Sequence, residues 1–253
     1  MLDPIAKAKW VLANKNIGDI PAMSLETIAD SEGIRFRHDT FTDKWDGMLV
    51  FNCDRRFIIV NTRIDNKARH NFTFAHELGH YFLEHPPNYS KDGQGRIECE
   101  ISETNTKQSD HESEANRFAV ELLMPEERFS LLMLGAEIDF ALVSGLSTEF
   151  MVSKQACSYR IMDFTQKSCV VIFSKHGMVT SDKVSKSARG LFSGLRSIPD
   201  DTAAHKAITQ KVQQNKFEKC DAGKWLSSAV AGQKIYECTR GSYKNGVAMT
   251  ILK

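Results

Sequence analysis

The chain has 253 residues, 42% of them hydrophobic and 26% charged, the make-up of a globular protein with enough length for a full core and a second compact unit. No run of about eighteen apolar residues occurs, which excludes an apolar membrane-spanning helix. A secretory leader is not expected either, because Asp3 and Pro4 come first and Lys7 and Lys9 interrupt the stretch 5–12. The six cysteines (53, 99, 157, 169, 220 and 238) show no C-x-x-C spacing, so neither a cysteine-zinc site nor a disulfide framework is expected, and reduced thiols in a cytoplasm fit best. The net charge of +1 hides an asymmetry: residues 1–165 carry 18 Lys and Arg against 26 Asp and Glu, residues 166–253 carry 15 against 6. A basic C-terminal third can meet nucleic acid or an acidic partner; dispersed rather than clustered as these lysines are, the favoured reading is a solvated face that also complements the acidic N-terminal part.

Residues 4 to about 28 read as helical with a break near 17–21. A short strand is expected over 34–37. The β-rich runs 48–51 and 57–60, joined by Asn52-Cys53-Asp54-Arg55, predict a hairpin. An exposed edge here, with 57–62 as the candidate, could hold an extended substrate by β-augmentation, or the strand could simply be core.

Next comes His76-Glu77-Leu78-Gly79-His80. Histidines four residues apart share one helix face, the spacing at which both can hold one zinc ion. Glu77 projects from the same turn, and the pattern H-E-x-x-H proposes water activated by zinc, deprotonated by a carboxylate and attacking a peptide carbonyl. Phe74, Ala75, Leu78, Phe82 and Leu83 fall on several faces, which predicts a buried helix over 72–85, with Thr73 as its N-cap. Without a metal, these buried polar groups would need core hydrogen bonds.

Residues 86–110 are polar and read as a lid or binding loop. Cys99 lies within it, where its thiol could occupy the open position of a latent zinc site. His85, His111, Tyr81 and Tyr89 are candidates to stabilise an oxyanion, each with a structural role as the alternative.

Over 111–125, Ala115, Phe118, Ala119, Leu122 and Leu123 form a buried helical stripe. Three glutamates compete for the third ligand position. Glu114 and Glu121 fall opposite the stripe, whereas Glu112 falls on its edge. Asn116, one turn later on the same side, could orient a ligand. The alternative for Glu112 is a helix-start charge favoured by the macrodipole. Residues 126–164 are helical in pattern, with 140–144 and 153–164 as a helix-turn-helix-like pair. No Arg/Lys cluster opens the second helix, so DNA reading by it is not favoured. From 168 the character changes: 169–173 and 177–180 suggest a hairpin, 206–219 a helix, and 234–238 and 246–252 closing strands.

The run Arg69-His70-Asn71-Phe72-Thr73-Phe74-Ala75-His76-Glu77-Leu78-Gly79-His80, with the Glu-x-x-Ala-Asn-x-Phe-Ala-x-x-Leu-Leu-Met-Pro segment from Glu112, resembles the ImmA/IrrE family of zinc metallopeptidases. Phe150 to Ala156 with Arg160 is similar to that family's helix-turn-helix-like segment. The resemblance covers roughly residues 15 to 165. It implies a gluzincin-type fold in which strand pairs precede the metal helix, His76, His80 and Glu112 bind zinc, Glu77 is the general base, and 126–165 packs on the core. It also implies a protein substrate, a helix-turn-helix transcriptional repressor.

The expectation is therefore an α+β protein: a zincin-like metallopeptidase core (1–125), a helical helix-turn-helix-like segment (126–165) and a small basic mixed α/β domain (166–253) for sensing or substrate docking. It is expected to be a cytoplasmic endopeptidase with one zinc per chain. The competing expectation is a non-catalytic regulator that binds DNA or a partner and carries a structural metal site.

Overall fold

The computed structural model describes residues 3–15, 17–42, 45–63, 65–89, 95–99, 110–192, 194–210, 216–226, 229, 232–242 and 244–253. They form a mixed α and β chain that divides into two compact units, Met1–Ala156 and Cys157–Lys253.

The first unit opens with α1 (Pro4–Asn14), started by Pro4 and capped by Asp3, whose carboxylate accepts the Ile5 N–H. A 3-10 turn, Pro21–Met23, leads to α2 (Leu25–Ser31). Strands β1 (Ile34–Asp39), β2 (Gly47–Asn52) and β3 (Arg55–Asn61) follow. β2 and β3 form the expected hairpin, turned by Cys53 at φ 50° and Asp54. Helix α3 (Lys67–Phe82) comes next, then β4 (Asn88–Tyr89) and β5 (Gly95–Cys99). The unit continues with α4 (Asp110–Leu123), α5 (Glu126–Leu132) and α6 (Phe140–Glu149). Helix α7 (Lys154–Phe164) contains the division between the units. Helices α6 and α7 are joined by residues 150–153.

The sheet order is β1-β3-β2-β5-β4, with β1 parallel to β3 and the other pairings antiparallel. Two expectations change here. The 57–62 strand is not an edge, because β1 pairs along its other side; it is a core strand and has no free ladder for a substrate. The 86–110 connection is not wholly irregular, since β5 adds to β2 through backbone bonds that side-chain periodicity does not announce. Residues 90–94 and 100–109 of that connection, and the side chains of Tyr89 and Cys99, lie outside the described residues.

Helix α3 starts before its expected N-cap. Asn66 is the cap, its side chain accepting the Arg69 N–H, and Thr73 is buried within the helix. α3 lies against β2 and β3 on one side and α4 on another, and α1 packs on α4. Leu49, Ile58 and Val60 from the sheet, Leu78 from α3, and Phe118 and Leu122 from α4 are fully buried between these elements. The α3–α4 approach is tight at Gly79. A Cβ there would sit 3.1 Å from Cα and O of Ala115 and 3.2 Å from Cδ1 of Phe118. Phe82 and Phe118 then stack at 5.8 Å.

In the second unit, β6 (Val170–Lys175) and β7 (Met178–Val184) form the expected hairpin. Helix α8 (Ala203–Thr209), β8 (Glu218–Asp221), β9 (Lys234–Ser242) and β10 (Val247–Leu252) complete an antiparallel sheet of order β7-β6-β10-β9-β8. The helix expected over 206–219 is shorter and earlier, because Thr202 caps it and 218–221 pairs with β9. The fully buried Trp225 centres this core. Its Nε1–H and the Ala204 N–H are both accepted by the buried Glu237 carboxylate, at 3.3 and 3.0 Å.

Replacing Gly79 by Val should push α4 off α3. Overpacking of this kind costs about 1–3 kcal/mol, so denaturant unfolding should show a lower midpoint with an unchanged slope.

Candidate metal centre

Helix α3 carries His76, Glu77 and His80, all buried to 1% exposure or less. Burial and four-residue spacing aim the two imidazoles the same way, and their Nε2 atoms are 2.9 Å apart. The first turn of α4 brings Glu112 to them, with Oε2 3.1 Å from His76 Nε2 and Oε1 3.2 Å from His80 Nε2. One ligand atom from each of the three residues lies within 4.8 Å of the others. Among the described residues, this is the one group of three or more such side chains that could hold a metal. Two imidazoles and a carboxylate are a donor set that suits zinc.

Protonation agrees with that use. Burial lowers the His80 pKa to about 4, so its ring is neutral near pH 7, while Glu112 pulls the other way. Burial alone would raise Glu112, but its close contacts with His76 and His80 hold it well below the usual carboxylate range. Glu77 behaves oppositely. Burial, with the Glu112 charge second, pushes its carboxyl well above the usual range, and the Leu49 amide works against the shift without meeting hydrogen-bond geometry. Among the described residues, neither Glu77 oxygen has a hydrogen-bond partner, an arrangement that calls for water or a ligand at the site.

The far nitrogens of both imidazoles are engaged. His76 Nδ1 is 2.9 Å from Oδ1 of Asn116, where helix α4 places the residue the sequence singled out as an orienting partner. His80 Nδ1 is 2.9 Å from Nδ1 of His85, whose Nε2 is 3.0 Å from Oε2 of Glu114. His85 is therefore not aimed at an oxyanion, since both its nitrogens are engaged away from Glu77. Tyr81 is likewise directed elsewhere, its hydroxyl donating to Glu32 at 3.1 Å. His111 is exposed and stacks on His85 at 4.5 Å. Glu114 and Glu121 depart from the expected solvent-facing positions. Glu121 is 2% exposed and accepts the Glu126 N–H that starts α5. A single-stripe helical wheel misses this because α4 is covered by α1 as well as α3.

Gly47 is a site residue that sequence reasoning did not pick out. A Cβ there would fall 2.3 Å from Cγ2 of Thr73 and 3.1 Å from Oε1 of Glu77. A glycine opening β2 is thus what lets the strand lie directly against the helix turn bearing Glu77. The only sequence signal is a glycine before an apolar strand, which by itself reads as an ordinary strand boundary.

A buried His-x-x-x-His pair, a carboxylate from the next sequential helix and a mixed sheet beneath define a zincin-like metallopeptidase core. Residues 29–162 match the model of the peptidase family Peptidase_M78, the IrrE N-terminal-like domain; the match spans more than half of the chain, and the chain belongs to this family. Among solved structures, a Mycobacterium tuberculosis transcriptional regulator is similar in fold, with a TM-score of 0.51, 13% identity, and coverage of 99% of this chain and 81% of that one. No curated protein matches.

An unpartnered buried carboxylate destabilises the fold that holds it. In metal-free protein, Glu77→Met should therefore raise the unfolding free energy by about 1–3 kcal/mol at pH 8. Because the folded-state pKa of Glu77 is raised, its penalty is absent below the ordinary carboxylate range and appears as pH rises through the folded value. The variant's advantage should thus widen with pH; chemical denaturation in chelator at pH 5 and pH 8 checks the sign.

Proposed function

We propose that the protein is a zinc-dependent endopeptidase, with one zinc per chain held by His76, His80 and Glu112 and with Glu77 as general base. The observation that carries this is the convergence of those three ligand atoms within 4.8 Å beside a buried glutamate whose oxygens have no hydrogen-bond partner among the described residues. A purely structural metal site has no use for that carboxylate.

Zinc, when bound, supplies Lewis-acid polarisation of the scissile carbonyl and makes water acidic near neutral pH. The chain supplies the proton handling. Glu77 accepts a proton from the attacking water and later delivers it to the nitrogen of the leaving amine. Burial that raises its proton affinity suits a group that must hold a proton between those two events. Asn116 accepts from His76 Nδ1–H, which leaves the His76 Nε2 lone pair turned toward the centre.

The substrate we assign is a protein, a helix-turn-helix transcriptional repressor. This rests on the ImmA/IrrE resemblance and on membership of the IrrE-like family. Such a target is cytoplasmic, and no helix among the described residues is long and apolar enough to cross a membrane. Residues 1–125 form the peptidase core in this reading, 126–165 the helix-turn-helix-like segment, and the basic 166–253 serve sensing or substrate docking. A non-catalytic regulator is the second reading, favoured by the fold shared with a chain titled transcriptional regulator; a DNA mobility shift that survives chelation, without proteolysis, would select it.

Purified protein should contain about one zinc per chain by metal analysis. Chelation should abolish cleavage of a co-encoded repressor, and zinc should restore it. Glu77→Gln should keep the zinc and lower the cleavage rate by at least about a hundredfold, the scale of a lost general base. Unimpaired cleavage by that variant would sink the mechanism.

A further inference from the structure

Beyond His80 lie two residues that the proposed chemistry does not use. Helix α3 ends at Phe82. The chain then turns back at Glu84, with φ 57°, and the His85 N–H bonds to the carbonyl of His80 at 3.1 Å. That turn brings the His85 ring against the His80 ring, Nδ1 to Nδ1 at 2.9 Å. From α4, Glu114 meets the other end of His85, with Oε2 3.0 Å from Nε2. His85 is 6% exposed and the Glu114 side chain 15%.

With a cation between the Nε2 atoms and Glu112, the hydrogens along this chain are set by its Glu114 end. A carboxylate only accepts, so His85 must carry its hydrogen on Nε2. A neutral imidazole protonated there has a bare Nδ1, which accepts from His80 Nδ1–H. His80 is then left with a bare Nε2, the atom that faces His76 and Glu112. The opposite pair of tautomers would point a His85 lone pair at the Glu114 carboxylate, two acceptors in contact with no hydrogen between them.

We propose that Glu114 and His85 are positioning residues that hold His80 in its Nδ1–H tautomer and so present its Nε2 lone pair to the metal. The inference deepens the metal reading above and rests on it. His85 is the relay and Glu114 sets its direction from two rings away. Asn116 does the same for His76 in one step, so both imidazoles are fixed from behind. A partner that orients a ligand in this way commonly supports metal affinity by about 10–100-fold.

The test uses the full chain. Zinc affinity is measured by competition with a chromogenic chelator for the wild type, Glu114→Gln, His85→Phe and His85→Gln. Glu114→Gln and His85→Phe should bind zinc about 10–100-fold more weakly. His85→Gln should recover part of the loss, because an amide can accept from His80 Nδ1–H and donate to Glu114. Imidazole nitrogen NMR on metal-free Glu112→Ala protein, in which no carboxylate competes for His80 Nε2–H, gives the second readout: His80 should be protonated on Nδ1 and shift toward Nε2 when Glu114→Gln is added. This signal reports a tautomer, which a merely space-filling His85 would not control, and it needs only the Glu114 change if His85→Phe fails to fold. Equal zinc affinity across the variants, or His80 protonated on Nε2 in the Glu112→Ala protein, overturns the relay. A wild type that binds no zinc overturns the metal reading instead, and the NMR result still decides the tautomer.

Discussion

The close crossing of α3 and α4 at Gly79 and Ala115 is the constraint on which the site depends. With no side chain at Gly79, the helices approach until Ala115 backbone lies 3.1 Å from where a Cβ would be. Glu112 is one turn before Ala115, and His76 and His80 flank Gly79 on α3. The separation of carboxylate and imidazoles is therefore inherited from a backbone contact, which is stiffer than any side-chain packing that could replace it. Stacking of Phe82 on Phe118 further along the same pair continues the contact.

Helix geometry then sorts the motif into two directions. At about 100° per residue, His76 and His80 share a face, Gly79 lies beside it, and Glu77 is turned away from Gly79 by about 200°. The histidines and Gly79 accordingly meet α4, while Glu77 meets the start of β2 at Gly47. Two glycines thus admit the neighbours of α3 on two different sides, and the helix is gripped between them. Nearby, Arg69 makes a bidentate pair with Asp46 at 2.8 and 2.7 Å, tying the residue before Gly47 to the start of the same helix.

Sequence reading reached the parts of this that are local. The H-E-x-x-H spacing, the hairpin through Cys53-Asp54 and the apolar stripe of α4 are each written within a dozen residues, and each is present. Pairing between distant segments was not legible. Nothing in residues 34–39 says that they lie parallel to β3, and nothing in the polar run 95–99 says that it joins β2. Periodicity reports which face of an element is buried, not which element buries it. The same limit explains Glu121, which a wheel drawn for one buried face sends to solvent although a second helix covers it.

His85 shows the limit from the other side. By sequence it is a histidine at a loop edge, five residues beyond His80 and off the helical register that relates His76 to His80. Only the left-handed residue Glu84 and the backbone bond from His85 to His80 fold it under the His80 ring. A helix that had continued for three more residues would have carried position 85 around its axis, about 140° from His80, and the carboxylate of Glu114 would have had no ring to meet. The end of α3 is thus part of the site as much as the motif inside it: the helix must hold through His80 to align two imidazoles, and must stop soon after to support the second of them.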